Sequence, residues 1–220
     1  MSGALEHRPA RAGLITLARK MNGSGLNQGT SGNLSQRVEG GFLLTPSGMD
    51  YELLLPEDIV FMRLDGTWEG RREPSSEWRI HRDVFVSRPE VGGVFHAHSM
   101  FSTSLACLRR GIPGFHYMVT RAGGDTIRCA EYATFGSEEL SRHVLVALED
   151  RKACLMANHG LLAVGDSLQS AYQLATEVET LAAMYWRALQ VGEPVLLEPE
   201  ELARVLDKWK TYGQPARKRG

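Results

Sequence analysis

Three short apolar runs, residues 34–38, 42–45 and 59–62, follow one another joined mainly by turns. Antiparallel strands can be linked by tight turns, whereas parallel neighbours need a crossover of about a dozen residues or more. The spacing therefore predicts antiparallel pairing, and this constrains the fold class more than any other feature of the chain. Pro46-Ser47-Gly48 turns the chain after the second run, and Asp65-Gly66 is a hairpin signal after the third.

Helical periodicity frames these strands. Leu14, Leu17, Ala18 and Met21 recur at helical spacing and predict a helix over 10–24, closed by Gly23 and Gly25. Pro74-Ser75-Ser76-Glu77 has the form of a helix start, with Glu77 in the first turn and Trp78, Ile80, His81, Val84 and Phe85 carrying the helix on. Further helices are expected at 102–108, 137–148 and 198–209. The stretch 167–190 is a long amphipathic helix, whose stripe is Leu168, Ala171, Leu174, Ala175, Val178, Leu181, Ala182 and Tyr185. Strands are expected at 91–99, 152–156 and 161–164. Strands and helices do not alternate strictly, so the predicted fold is a single α/β domain with a mostly antiparallel central sheet flanked by helices on both sides. The domain is expected over 1–213, with 214–220 as a flexible polar, basic tail.

Composition removes several function classes. Lys+Arg number 25 and Asp+Glu 26, a net charge of -1, which argues against a general nucleic-acid partner. No apolar run approaches the roughly 20 residues of a membrane helix, and the polar first ten residues do not read as a secretory signal. Cys107, Cys129 and Cys154 form neither a metal-type pair nor a disulfide framework, so a reducing cytoplasm is the expected setting.

The chemistry-bearing residues are fewer. In Val94-Phe95-His96-Ala97-His98 a strand would point His96 and His98 to the same face. Two readings stand: a pair of ligands for a tetrahedral metal, or two independent polar residues. His159, in the turn before Gly160, is the candidate third ligand or a turn histidine bonded to backbone. Glu77 read alone complements the helix dipole, and a plain helix pair with His81, four residues on, is its simplest contact. The loop Asn27-Gln28-Gly29-Thr30-Ser31-Gly32-Asn33 and the Ser75-Ser76 helix start could turn backbone N–H groups toward an anion, and neither contains Lys or Arg. Tyr117, preceded by His116, is a packing residue by default.

These segments meet in one family. The chain resembles the class II zinc aldolases of the aldolase–adducin family over residues 14–213, and within it those acting on L-fuculose 1-phosphate. The resemblance is carried by the loop from Gly25 to Asn33, Thr45-Pro46-Ser47-Gly48, Pro74-Ser75-Ser76-Glu77-Trp78-Arg79, His96-Ala97-His98, His116-Tyr117-Met118, Tyr132-Ala133-Thr134-Phe135-Gly136 and Asn158-His159-Gly160-Leu161. It implies that His96, His98, His159 and Glu77 hold one Zn2+ per subunit. Glu77 would leave the metal when substrate arrives and act as acid/base. It implies a substrate-phosphate cradle of Gly32, Asn33, Ser47, Gly48, Ser75 and Ser76. It also implies a catalytic Tyr117 reaching a neighbour's site in a homotetramer, with Tyr212 as a tyrosine that helps close the site. The tail beyond Tyr212 departs from the family pattern, displacing an expected arginine to Arg217 if it is kept. Asn158 stands where relatives carry histidine. The implied reaction is reversible cleavage of a ketose 1-phosphate to dihydroxyacetone phosphate and a short aldehyde such as L-lactaldehyde, by way of a metal-stabilised enediolate. Related alternatives are a methylthioribulose-phosphate dehydratase, a ribulose-phosphate epimerase and a non-catalytic adducin-like scaffold.

Overall fold

The computed structural model describes residues 5–213. The expected tail, with Arg217, lies outside them. In chain order the elements are α1 (Arg8–Gly23), β1 (Asn33–Val38), β2 (Gly41–Leu44), β3 (Val60–Met62), β4 (Trp68–Glu69), α2 (Trp78–Ser87), β5 (Gly93–Ala97), α3 (Met100–Cys107), β6 (Arg128–Ala130), α4 (Glu138–Ala147), β7 (Ala153–Met156), β8 (Gly160–Gly165), α5 (Leu168–Val191) and α6 (Pro199–Trp209). Short 3₁₀ turns lie at Tyr51–Leu53, Pro56–Asp58 and Tyr117–Ala122.

One eight-stranded sheet runs in the order β4-β3-β2-β1-β5-β8-β7-β6. Its pairings are antiparallel except for β6 with β7, which is parallel. The sheet is therefore mixed rather than purely antiparallel. The reason lies in the connection: α4 sits between β6 and β7 and supplies the crossover that a parallel neighbour requires. Strand β6 is three residues long, with only Ala130 buried, and has no apolar run to announce it.

Alternation along the strands sorts side chains into two cores. Leu34, Leu43, Phe95, Ala97, Leu155, Leu161 and Ala163 face the core formed with α1, α3 and α5. Their sequence neighbours Phe42, Leu44, Val94, Cys154, Met156, Leu162 and Val164 face the core formed with α2 and α4. All eight stripe residues of α5 are buried. Ser167 caps that helix by accepting from the Ser170 N–H. Gly93 is required where α5 crosses β5, because a Cβ there would lie 2.4 Å from the Leu168 Cα.

On the α2 side of β1 the alternation leaves two polar residues, Asn33 and Ser35, both buried. In the β1–β5 register Asn33 lies opposite His96. A one-residue slip of β1 would turn Asn33 and Ser35 to the other face of the sheet, away from His96.

Glu179 of α5 ties the segment after His98 to the core. Its carboxylate accepts from the Ser99 and Ser102 hydroxyls, each at 2.7 Å, and from the Phe101 and Ser102 N–H groups, each at 2.8 Å. It thus satisfies free donors at the N-terminus of α3, a role an N-cap side chain usually fills. Glu179→Ala should lower stability by about 3 kcal/mol, read by urea denaturation, because several donors lose a charged acceptor together.

Candidate metal centre

Four side chains from distant parts of the chain converge at the end of β5. His96 lies in the strand and His98 one residue beyond it. His159 occupies the turn between β7 and β8, and Glu77 is the N-cap residue of α2. Their ligand atoms all lie within 4.8 Å of one another. The His96 and His98 Nε2 atoms are 3.1 Å apart. Glu77 Oε2 is 3.1 Å from His96 Nε2, and Glu77 Oε1 is 3.3 Å from His159 Nε2. The three rings stand edge to face, with centroids 4.8, 4.9 and 5.0 Å apart.

This arrangement fits a small divalent cation. Ligands about 2.0–2.1 Å from a tetrahedral ion lie about 3.3 Å from one another, close to the separations found here. His96 Nδ1 donates to the Leu161 carbonyl oxygen at 2.9 Å, which fixes its tautomer and leaves the Nε2 lone pair facing the cluster. Glu77 Oε1 is buried without a hydrogen-bond partner, the condition expected of an oxygen aimed at a cation. Gly160 lets the His159 turn approach β5, since a Cβ there would lie 2.5 Å from the Ala97 carbonyl oxygen and 3.0 Å from the His98 ring. Asn158 holds φ 53° in that turn, a left-handed conformation that asparagine tolerates well.

Electrostatics agree with the geometry. Burial opposes ionisation of Glu77, but His96, His159 and the Asn33 amide outweigh it and hold the carboxyl well below the usual range. Burial also lowers His96, and the adjacent carboxylate with the Leu161 carbonyl reverses this to raise it. Burial and the neighbouring His96 push His98 down to about 4 and His159 down to about 3. Glu77 is thus held as a carboxylate, and His98 and His159 resist a second proton, a donor set suited to a doubly charged ion.

Two local expectations change. Ser75 and Ser76 do not cap the helix: it begins at Trp78, Glu77 takes the N-cap position, and Ser75 Oγ accepts from the Glu77 N–H at 3.3 Å. The expected Glu77–His81 pair is replaced by an indirect connection. His81 Nε2 lies 2.6 Å from Asn33 Oδ1, and Asn33 Nδ2 donates to Glu77 Oε2 at 2.9 Å.

A cleft of about 420 Å³ opens beside the cluster. Gly32, Asn33, Ser47, Gly48, Ser75 and Ser76 all line it, as do Glu77, His98 and His159. Its described lining contains no Lys or Arg. Tyr117 is not in this cleft. It lines a separate cavity with Trp209 and Tyr212, where its ring stacks on Trp209 at 6.3 Å and 15°. Trp209 Nε1 donates to Thr120 Oγ1 at 2.8 Å, docking α6 on the Tyr117–Ala122 turn. Sequence context does not single out Asn27 for a role here. It is buried, and its Oδ1 accepts from the His98 N–H at 3.1 Å and the Ser31 hydroxyl at 3.2 Å. Only its position inside a loop of small residues could mark it.

Comparison with known proteins gives the same outline. The family described as Class II Aldolase and Adducin N-terminal domain matches residues 12–186. A 5-methylthioribulose-1-phosphate/5-deoxyribulose-1-phosphate aldolase of Rhodospirillum rubrum is 57% identical over 206 residues, covering 94% of this chain and 93% of that protein. An L-fuculose phosphate aldolase of Escherichia coli K12 is 48% identical over 201 residues, covering 91% and 94%. A solved L-fuculose 1-phosphate aldolase superposes with a TM-score of 0.89 at 38% identity, covering 96% of this chain and 98% of that one.

Two outcomes are expected. His96→Ala should abolish stoichiometric divalent metal binding, measured by plasma mass spectrometry after dialysis. The second concerns acid. Burial, aided by His96, lowers His81 to about 3 from an ordinary 6.5. The unfolded chain takes up a proton near pH 6.5 that the folded chain refuses, so this contribution to stability is complete above 6.5 and is lost as pH falls toward 3. The limit is about 1.4 kcal/mol per pH unit. Denaturation between pH 7.5 and 4.5 should show a shallower fall for His81→Gln than for the unaltered protein.

Proposed function

Because the chain belongs to the Class II Aldolase and Adducin N-terminal domain family, we propose that it cleaves a deoxyketose 1-phosphate to dihydroxyacetone phosphate and a short aldehyde, with zinc as the resident metal. It is a lyase of the class II, metal-dependent aldolase type. The observation that carries the substrate reading is that Glu77, His98 and His159 of the Glu/His₃ cluster line a cleft shared with small, hydroxyl-bearing and glycine residues.

The metal supplies a Lewis acid for the substrate carbonyl and for the negative charge that develops beside it. The chain's own residues do the rest. Gly32, Asn33, Ser47, Gly48, Ser75 and Ser76 hold the phosphate, and its binding fixes the reacting carbons near Glu77. Cleavage breaks the bond between the third and fourth carbons, removes a proton from the fourth-carbon hydroxyl and returns one to the third carbon. Glu77 exchanges the proton at the third carbon. Its basicity is low among the imidazoles and rises when it turns away from them toward substrate. Tyr117, from a second copy of the chain, exchanges the proton on the aldehyde oxygen. Its distance from the cleft within one chain supports that assignment, and with it an oligomer, read here as a tetramer with shared sites. Tyr212, which packs on Trp209 beside it, belongs to the same wall.

L-fuculose 1-phosphate, 5-deoxyribulose 1-phosphate and 5-methylthioribulose 1-phosphate share the phosphate end and each finish in an apolar group, with one more hydroxyl-bearing carbon before it in the fuculose ester. Tyr132, Ala133 and Phe135 give the cleft an apolar side for that group. The pentulose phosphates form a second reading, favoured by the 57% identical relative. Residues 1–213 act on this reading as one catalytic domain working in the cytoplasm, a setting in keeping with Cys107, Cys129 and Cys154 as free thiols.

A panel of these three phosphates, scored by release of dihydroxyacetone phosphate, tests the reaction. A dehydrated product in its place would identify a dehydratase, and isomerised substrate an epimerase. Tyr117→Phe should slow cleavage by about 10²–10⁴-fold while hydrogen–deuterium exchange on dihydroxyacetone phosphate is retained. Equal slowing of both would remove Tyr117 from the aldehyde end.

A further inference from the structure

Behind the metal cluster, on the α2 side of the sheet, lies a buried polar chain whose inner members, Ser35 and His81, have no role in the proposed reaction. Ser35 and Asn33 project from β1, and His81 reaches between them from α2. His81 and Ser35 are fully buried and Asn33 nearly so. Ser35 Oγ is 2.6 Å from His81 Nδ1, His81 Nε2 is 2.6 Å from Asn33 Oδ1, and Asn33 Nδ2 is 2.9 Å from Glu77 Oε2.

The charge at one end dictates the direction of every bond. An ionised carboxylate only accepts hydrogen bonds, so Asn33 must turn its NH₂ group to Glu77. Asn33 Oδ1 then faces His81 and accepts, which places the imidazole proton on Nε2. Nδ1 is left as an acceptor, and the Ser35 hydroxyl must donate to it. Both ring nitrogens are used in one tautomer only. Were Asn33 free to flip its amide, it would turn an oxygen toward the carboxylate and repel it.

We infer that His81 is a positioning residue for Glu77: held as the Nε2–H tautomer by Ser35, it locks the Asn33 amide so that Nδ2 always faces the carboxylate. The consequence differs for the two carboxylate oxygens. Oε2 is held from behind by the amide and lies 3.1 Å from His96 Nε2, while Oε1 has no hydrogen-bond partner and lies 3.3 Å from His159 Nε2. When Glu77 turns toward substrate, Asn33 keeps its orientation and marks the place to which the carboxylate returns. Asn33 also lines the cleft, so the same amide spans from the buried chain to the substrate's surroundings. The catalytic part of this inference rests on the proposed aldolase reaction, whereas the tautomer and the metal affinity do not.

The test uses the full-length protein and three variants. A ¹⁵N-histidine side-chain spectrum, with His81 assigned by its loss in His81→Gln, should show the Nε2–H tautomer at neutral pH; an Nδ1–H ring overturns the inference. His81→Leu removes both bonds, and His81→Gln keeps an N–H that can reach Asn33 Oδ1. Zn2+ affinity, measured by chelator competition, should fall about 10–100-fold in the leucine variant and recover most of that loss in the glutamine variant. In cleavage assays kcat should fall by a similar factor in His81→Leu with KM little changed. A raised KM with unchanged kcat would instead mean that Asn33 is being disturbed only as a phosphate contact, and would overturn the inference. Equal loss in both His81 variants, tracking their melting temperatures, would reduce His81 to a core residue and overturn it too. If His81→Leu does not fold, Ser35→Ala decides. Its loss of the tautomer lock should lower metal affinity several-fold, and unchanged affinity rejects the proposal. Should the unaltered protein release no dihydroxyacetone phosphate from any substrate, the aldolase reading fails alone, and the spectrum and metal affinity still judge His81.

Discussion

A buried carboxylate beside three imidazoles is tolerable only where positive charge or firm hydrogen bonding compensates its removal from water. Glu77 is almost fully enclosed, and its two oxygens are served differently. Oε2 has the Asn33 amide as well as His96, whereas Oε1 has only the imidazole cluster. Much of the architecture can be understood as the means of assembling this set from segments far apart in sequence. A divalent ion would relieve two strains together, the isolated oxygen and the crowding of ring nitrogens 3.1 Å apart.

The sheet does the assembling. The β1–β5 register puts Asn33 opposite His96, and β5–β8 puts His96 opposite Leu162 and beside the Leu161 carbonyl that fixes its tautomer. His98 lies past the end of its strand, so the sheet does not hold it. Asn27 holds its backbone, and Glu179 anchors the start of α3 immediately beyond it. His159 comes in over Gly160, which is small enough to let two strand ends nearly touch. Rigid elements thus carry the rear of the cluster, while loops of small residues form its mouth.

The legibility of the sequence depends on the range of each interaction. The α5 stripe is legible because helical burial depends on residues three and four apart, and every residue of it is buried. The same holds for the helix expected from 137, where Ser137 caps α4 by accepting from the Leu140 N–H. His96 and His98 are legible as a pair, and the resemblance joins them to His159 and Glu77. Long-range facts are not legible. The i, i+4 rule suggests a Glu77–His81 pair because it counts along one helix. The actual partners of His81 are Asn33 and Ser35 of β1, 48 and 46 residues away in sequence. Strand β6 is too short and too weakly apolar to show itself, and the one parallel pairing is hidden with it. Tyr117 can be named from its motif, but its separation from the cleft is a property of the folded chain alone.

The lining of the cleft has a wider bearing. Among its described residues there is no guanidinium and no ammonium group. Binding sites built on such groups draw anions from a distance and hold many of them indiscriminately. Among these described lining residues the positive potential would come chiefly from a cation held by the cluster. A cation held by the cluster would therefore strengthen the pull of these neutral hydroxyl and backbone N–H donors on an anion, and would couple the two bound species through charge rather than through contact.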